Sequence, residues 1–340
     1  MYIGDEELCS AIRRYMEENV RRGEKMVEGL LLSLGYNVTR QRIRDCIRSM
    51  DPIGNEIRTL KRLKRRVYEV PGCHYLWHLD GCHKLIKFGF VVHTCIDGFS
   101  RYLIYSVCRD NNRANTVLNA FKEGSMDVGV LPSKIRTDKG GENVNVLCFM
   151  YEVFGEDADC CLTGKSTGNQ KVERVHRDST EKALEPYILL FRYFVVRGLN
   201  VDNNLHLFML HFLFMARINE SLMEFVKAWN HHKLRTVNNR TPTQLLLLGQ
   251  LQGTTCGVNV YEDEFSIYDI LRDAEDVVDA DNQVVCDSRF CPFNELQMQQ
   301  FEAQVSPCTL QSRIDVSCYD MLFEQFGNAL RVSMTILDTV

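Results

Sequence analysis

The chain has 340 residues, a formal net charge of -5 and a hydrophobic fraction of 45%, which suits two or three domains and excludes a disordered polymer. Its opening, Met1 to Glu7, is acidic and lacks an apolar leader segment, so secretion is not expected. The most apolar stretch, Tyr187 to Ile218, is interrupted by Arg192, Arg197, Asp202 and two histidines, so it predicts buried helix and no membrane span.

The negative total hides a strong segregation of charge. Thr39 to Tyr68 carries ten basic and three acidic residues, a net of +7, whereas Val260 to the end carries sixteen acidic residues against four arginines. Fourteen cysteines include no Cys-x-x-Cys pair and are expected to stay reduced as small core residues.

In chain order, Gly23 to Leu34 has an apolar stripe at helical spacing, and Gly35-Tyr36-Asn37 reads as a turn. Thr39 caps a second predicted helix in which Ile43 and Ile47 are spaced for burial and Arg40, Arg42, Arg44 and Arg48 occupy the remaining surface. Helix, glycine turn and arginine-rich helix resemble a helix-turn-helix, whose second helix enters a major groove and meets phosphates. A solvated basic helix is the plainer alternative. Lys61-Arg62-Leu63-Lys64-Arg65-Arg66 fits a nuclear import signal, a phosphate-contacting linker or a solvated face.

Leu76 to Gly81 then reads as a strand containing Asp80. Phe88 to Ile96 and Tyr102 to Val107 are β-rich runs joined by Asp97-Gly98-Phe99-Ser100, a hairpin pattern. Arg113 to Phe121 predicts a helix, and Ser133 to Arg136 a short strand with Asp138 beyond its tip. In Val172 to Asp178, helical spacing turns Val172 and Val175 to one side and leaves Glu173 near Arg177 on an adjoining face. Leu205 to Met215 and Glu220 to Trp229 read as two further helices, with an apolar face that serves either packing or a dimer.

Several tempting ligands have local explanations. His74, His78 and His83 near Cys73 and Cys82 lack paired-cysteine spacing, so no zinc site is expected. Asp97 is accounted for by its turn, and Glu142 is left outside the catalytic set. Asn143 and Asn169 are candidates to position DNA or metal-bound water.

Asp80, Asp138 and Glu173 together suggest a two-metal phosphoryl-transfer site, because such chemistry needs several acidic oxygens converging from a rigid scaffold. They stand in Trp77-x-x-Asp80, in Thr137-Asp138-Lys139-Gly140-Gly141-Glu142-Asn143, and in Asn169-x-x-Val172-Glu173-Arg174; Trp229-Asn230-His231-His232 and Thr241-Pro242 follow. With these motifs in this order, Leu76 to Gly249 resembles the catalytic core of retroviral-type integrases and DDE transposases, specifically integrase-core proteins of mobile elements in animal genomes. That family usually leaves about 35 residues between its second Asp and its Glu. Here 34 intervene, consistent with a shortened loop at 163–168.

The resemblance implies an α/β, ribonuclease-H-like integrase core with a mixed five-stranded sheet flanked by helices, preceded by a small helix-turn-helix-like region. Residues 1–70, 71–250 and 251–340 are the expected helical region with basic linker, catalytic core and acidic tail. It further implies Mg2+, with Mn2+ as substitute, held by Asp80, Asp138 and Glu173 for end-cleavage and strand transfer. Lys165, Lys171, Arg174 and Arg177 would contact the DNA backbone; a homo-oligomer and a nuclear location are expected, and no membrane. Retroviral integrases end in a basic barrel, whereas this tail is acidic and would repel phosphate. The rival expectation is a domesticated DNA-binding or scaffold protein without catalysis; a ribonuclease or resolvase on the same fold comes third.

Overall fold

A computed structural model describes residues 3–17, 24–50, 70–155, 157–164, 170–261, 291–308 and 314–338. Three helices come first: α1 (Asp5–Glu17), α2 (Glu24–Ser33) and α3 (Arg40–Met50). Gly35, at φ +84°, makes the turn between α2 and α3, a left-handed conformation that glycine adopts without strain. Ile43, Cys46 and Ile47 give α3 its buried stripe.

The core sheet begins with β1 (Leu76–Cys82), β2 (Val91–Asp97) and β3 (Leu103–Arg109), which pair antiparallel in sequence. There follow α4 (Ala114–Val128), β4 (Val130–Leu131), β5 (Lys134–Thr137), α5 (Val144–Phe154) and β6 (Cys161–Thr163). Next, α6 (Gln170–Ser179) runs through a π-helical turn at Thr180–Leu184 into α7 (Glu185–Arg197). Then come α8 (Asn204–His231), α9 (Pro242–Leu251), β7 (Val258–Asn259), α10 (Glu295–Glu302) and α11 (Tyr319–Leu337).

The main sheet has the order β3-β2-β1-β5-β6, with β5 parallel to both β1 and β6. This mixed five-stranded sheet is the ribonuclease-H-like arrangement expected of the sequence. Side-chain alternation along β1 decides which layer each residue meets. Trp77 and Leu79 enter one apolar cluster with Phe121 of α4 and Phe149 of α5. Cys82 enters the other, which gathers α6, α7 and α8 together with the helices at both ends of the chain.

The N-terminal helices are docked closely on this second layer. A Cβ on Gly29 would lie 2.1 Å from the Ala228 carbonyl oxygen, so only glycine allows α2 to approach α8 here. Buried Glu28 receives Lys233 at 2.9 Å. Among the α3 arginines, Arg40 and Arg44 pair with Glu24, while Arg42 meets Asp5 and donates to the Ile3 carbonyl at 2.9 Å. Arg48 is exposed.

One expectation is corrected. The two helices anticipated at Leu205–Met215 and Glu220–Trp229 are a single 28-residue helix, α8. The polar residues that interrupt the apolar pattern are accommodated inside the fold. Arg217 is fully buried, and its carbonyl accepts from the Tyr187 hydroxyl at 3.1 Å. Asn219 exchanges hydrogen bonds with the Cys108 backbone at 2.8 and 3.1 Å, stitching α8 to β3. No described helix is long and apolar enough to cross a membrane.

Candidate active site

The two aspartates are placed by strand register. β1 and β5 run parallel with His78 opposite Arg136; Asp80 follows two residues on, and Asp138, just past the end of β5, is near enough for its charge to act on Asp80. Neighbouring strands lie about 4.8 Å apart, so both carboxylates belong to one end of the sheet. Asp80 shares the strand face of Cys82, the face covered by α6.

The turn after β5 holds Asp138. Its Oδ1 accepts from the Gly140 N–H at 3.0 Å and from Asn143 Nδ2 at 3.1 Å. Asn143 is itself buried, so it is fixed before it fixes its neighbour. Asp80, by contrast, accepts among the described residues only the adjacent Gly81 N–H, at 3.0 Å. Burial pushes the Asp80 carboxyl up to about 7, and the nearby charges of Asp138, Glu173 and Glu142 add to that shift while the Gly81 bond opposes it. Four carboxylates therefore act on one another at this end of the sheet.

Glu173 sits in the first turn of α6, exposed, while Val172 and Val175 are fully buried and anchor that helix, as helical spacing predicted. Three residues on, His176 Nδ1 lies 3.7 Å from Asp80 Oδ2. Its ring is held down to about 4 by burial foremost, with a hydrogen-bonding interaction from the Asp80 backbone pulling the other way, so the imidazole is neutral at pH 7.

The structure separates the remaining sequence candidates. Lys171 is half-buried and Arg177 exposed on α6, and Arg174 is tied to Asp178 at 3.0 Å within the helix. Lys165 and Asn169 lie outside the described residues, as does the basic run from Lys61 to Arg66. Asp97 lies at the opposite end of β1, paired in register with Trp77.

Two further side chains stand at this end of the sheet, Glu142, which the sequence reading leaves outside the catalytic set, and His176. Glu142 lines the same small cavity as Asp80 and Asn143, and its carboxyl is raised by burial and by Asp138. A Cβ on Gly140 would stand 2.4 Å from both Glu142 carboxylate oxygens, so the glycine leaves room for that side chain to fold back. The Gly140-Gly141 pair was the available hint. His176, a polar position on an amphipathic helix, offered none.

The sequence matches the integrase core domain family over residues 67–259, more than half of the chain. The chain belongs to the integrase core domain family. Among solved structures, a chain of the simian T-cell lymphotropic virus intasome in complex with PP2A regulatory subunit B56 gamma is similar at 15% identity. That likeness covers 70% of this chain and 72% of the other with a TM-score of 0.39, too loose to build upon. Among curated proteins the sequence finds no match.

Hard oxygen donors such as these suit Mg2+ or Mn2+ better than softer metals. A raised carboxyl among like charges is also the electrostatic state that a bound cation would relieve. Among the described residues, however, no group of three or more His, Cys, Asp or Glu side chains is arranged as a finished metal cage. The integrase core presents the donors open, at one end of its sheet.

Proposed function

We propose that this integrase core protein is a polynucleotidyl transferase that cleaves and joins DNA for a mobile element, using Mg2+ or Mn2+ held by Asp80, Asp138 and Glu173. The observation that carries the reading is the Asp80 carboxyl, pushed up to about 7 by burial with Asp138, Glu173 and Glu142 as its charged neighbours. Half-buried carboxylates crowded against one another cost folding energy, and perturbed groups of this kind cluster at functional sites.

The bound cations would supply Lewis-acid polarisation of a DNA phosphate and a more acidic attacking water or 3′-hydroxyl. The protein's own contribution is placement. β1 carries Asp80, the turn after β5 carries Asp138 near it, and Asn143 with the Gly140 N–H orients Asp138. Attack in line with the departing 3′-oxygen needs no covalent enzyme intermediate, which agrees with a site built from carboxylates.

Arg177 on α6, with Lys171 and Arg174 beside it and Lys165 before it, is assigned to the DNA backbone near this site. Arg48 is assigned the same role on α3. Arg40, Arg42 and Arg44 would exchange their acidic partners for phosphate, a small cost where such pairs are partly exposed. The reading includes a nuclear, homo-oligomeric protein with regions 1–70, 71–250 and 251–340 in the roles the resemblance implies.

A second reading, a domesticated DNA-binding or scaffold protein, draws support from the open donor set and from those internally paired arginines. Plasmid nicking and joining by purified protein in Mn2+ or Mg2+ decides between the two. Metal-dependent products from the wild type, absent with Asp138→Asn, are expected. DNA binding by both proteins with products from neither would favour the silent binder.

A further inference from the structure

We infer that His176 is a positioning residue, tying α6 to β1 so that Glu173 is set against Asp80 and Asp138; this rests on the metal-dependent reading above. The need for such a tie is visible in Glu173. It is exposed in the first turn of α6 and forms no hydrogen bond or ion pair among the described residues. Something else must fix the direction in which its carboxylate points.

Buried Val172 and Val175 set how deeply α6 sits on the sheet. Apolar contacts are non-directional, so they leave rotation about the helix axis weakly specified. His176 adds a polar contact between the helix and β1. It stands three residues after Glu173, on the neighbouring surface of the helix, and its Nδ1 lies 3.7 Å from Asp80 Oδ2. Glu173 and the Asp80 contact are thus fixed by one rigid turn of helix.

The ring suits that place. An imidazole nitrogen beside a metal-holding carboxylate can orient it from its outer side. Its other nitrogen, Nε2, is buried with no hydrogen-bond partner, a costly state that an apolar side chain of similar size would avoid. A residue kept only to fill space would not need it.

Wild type, His176→Ala and His176→Asn test the assignment, because the asparagine amide nitrogen reaches roughly where Nδ1 stands. Two readouts are taken: Mn2+ affinity by calorimetry, and amide hydrogen exchange of the peptide Arg174–Ser179 in EDTA. The alanine variant is expected to lose about 10- to 100-fold in Mn2+ affinity, the usual effect of removing a ligand's supporting partner, and to exchange faster. Asparagine is expected to recover most of both.

Mn2+ affinity within about twofold of wild type, with unchanged exchange, would overturn the inference. Asparagine no better than alanine would reduce the ring to packing, and overturn it too. A wild type that binds no Mn2+ would sink the metal-dependent reading instead, and the exchange comparison would still decide whether His176 ties the helix down.

Discussion

The β1–β2 hairpin carries a carboxylate at each end, Asp97 fully buried and Asp80 half-buried, and their surroundings are opposite. Asp97 accepts from the Ser100 N–H at 2.7 Å, the Ser100 hydroxyl at 2.6 Å and the His74 N–H at 2.9 Å. Burial still raises it to about 6, but those donors pull it down. Asp80, raised to about 7, has one backbone donor and three acidic neighbours. One carboxylate is compensated inside the fold and belongs to its architecture; the other is crowded by like charges, a state that a bound cation would relieve. The burial of a charge alone therefore says little about function; crowding by like charges with few donors is the more informative state.

The largest effect that would sharpen this contrast is on chemistry. Asp138→Asn keeps the shape of the turn and removes a charge, and should lower metal-dependent DNA cleavage by at least about a hundredfold, the low end for losing a group that stabilises reacting charge. Wild-type rates in that variant would break the assignment.

The next is stability, with opposite signs at the two ends. Asp97→Ala strands several buried donors and should cost about 3 kcal/mol in denaturant titrations. Asp80→Asn should stabilise the metal-free protein by on the order of 1–3 kcal/mol, because it removes the charge its neighbours oppose. A loss of stability in that variant would contradict the electrostatic picture.

The same substitution has a pH signature. Asp80 is raised from 3.8 to about 7, so the folded chain holds that proton more tightly than the unfolded chain does. Folding is then unpenalised at low pH and loses free energy as pH rises through that interval. In EDTA, the melting advantage of Asp80→Asn should vanish below about pH 4, widen up to about pH 7 and level off above. A constant offset would show that charge is not its cause. The smallest effect belongs to Gly140→Ala, which displaces the Glu142 carboxylate and should cost under about 1 kcal/mol, with a change in Mn2+ affinity as the check.

Much of this site was legible because each carboxylate sits where a local pattern ends. Apolar runs mark β1 and β5, and the spacing of Val172 and Val175 marks the helix bearing Glu173 and the side it buries. What stayed hidden depends on contacts between distant segments. The turn that folds Glu142 back and the approach of His176 to Asp80 have no periodicity. The arginines of α3 looked solvent-facing because Glu24 and Asp5, their partners, lie on other helices. α8 was divided in two because the sequence does not show that Arg217 and Asn219 find partners inside, and β6, at three residues, is too short for an alternating pattern.

Whether the Asp80 end of the sheet binds a divalent cation is read from the melting temperature of wild type and Asp80→Asn with and without Mn2+. A ligand at about a hundred times its Kd stabilises by about 2.7 kcal/mol. The account predicts an upward shift of that order in the wild type and little or none in Asp80→Asn. Equal shifts in the two proteins, or none in either, would contradict it.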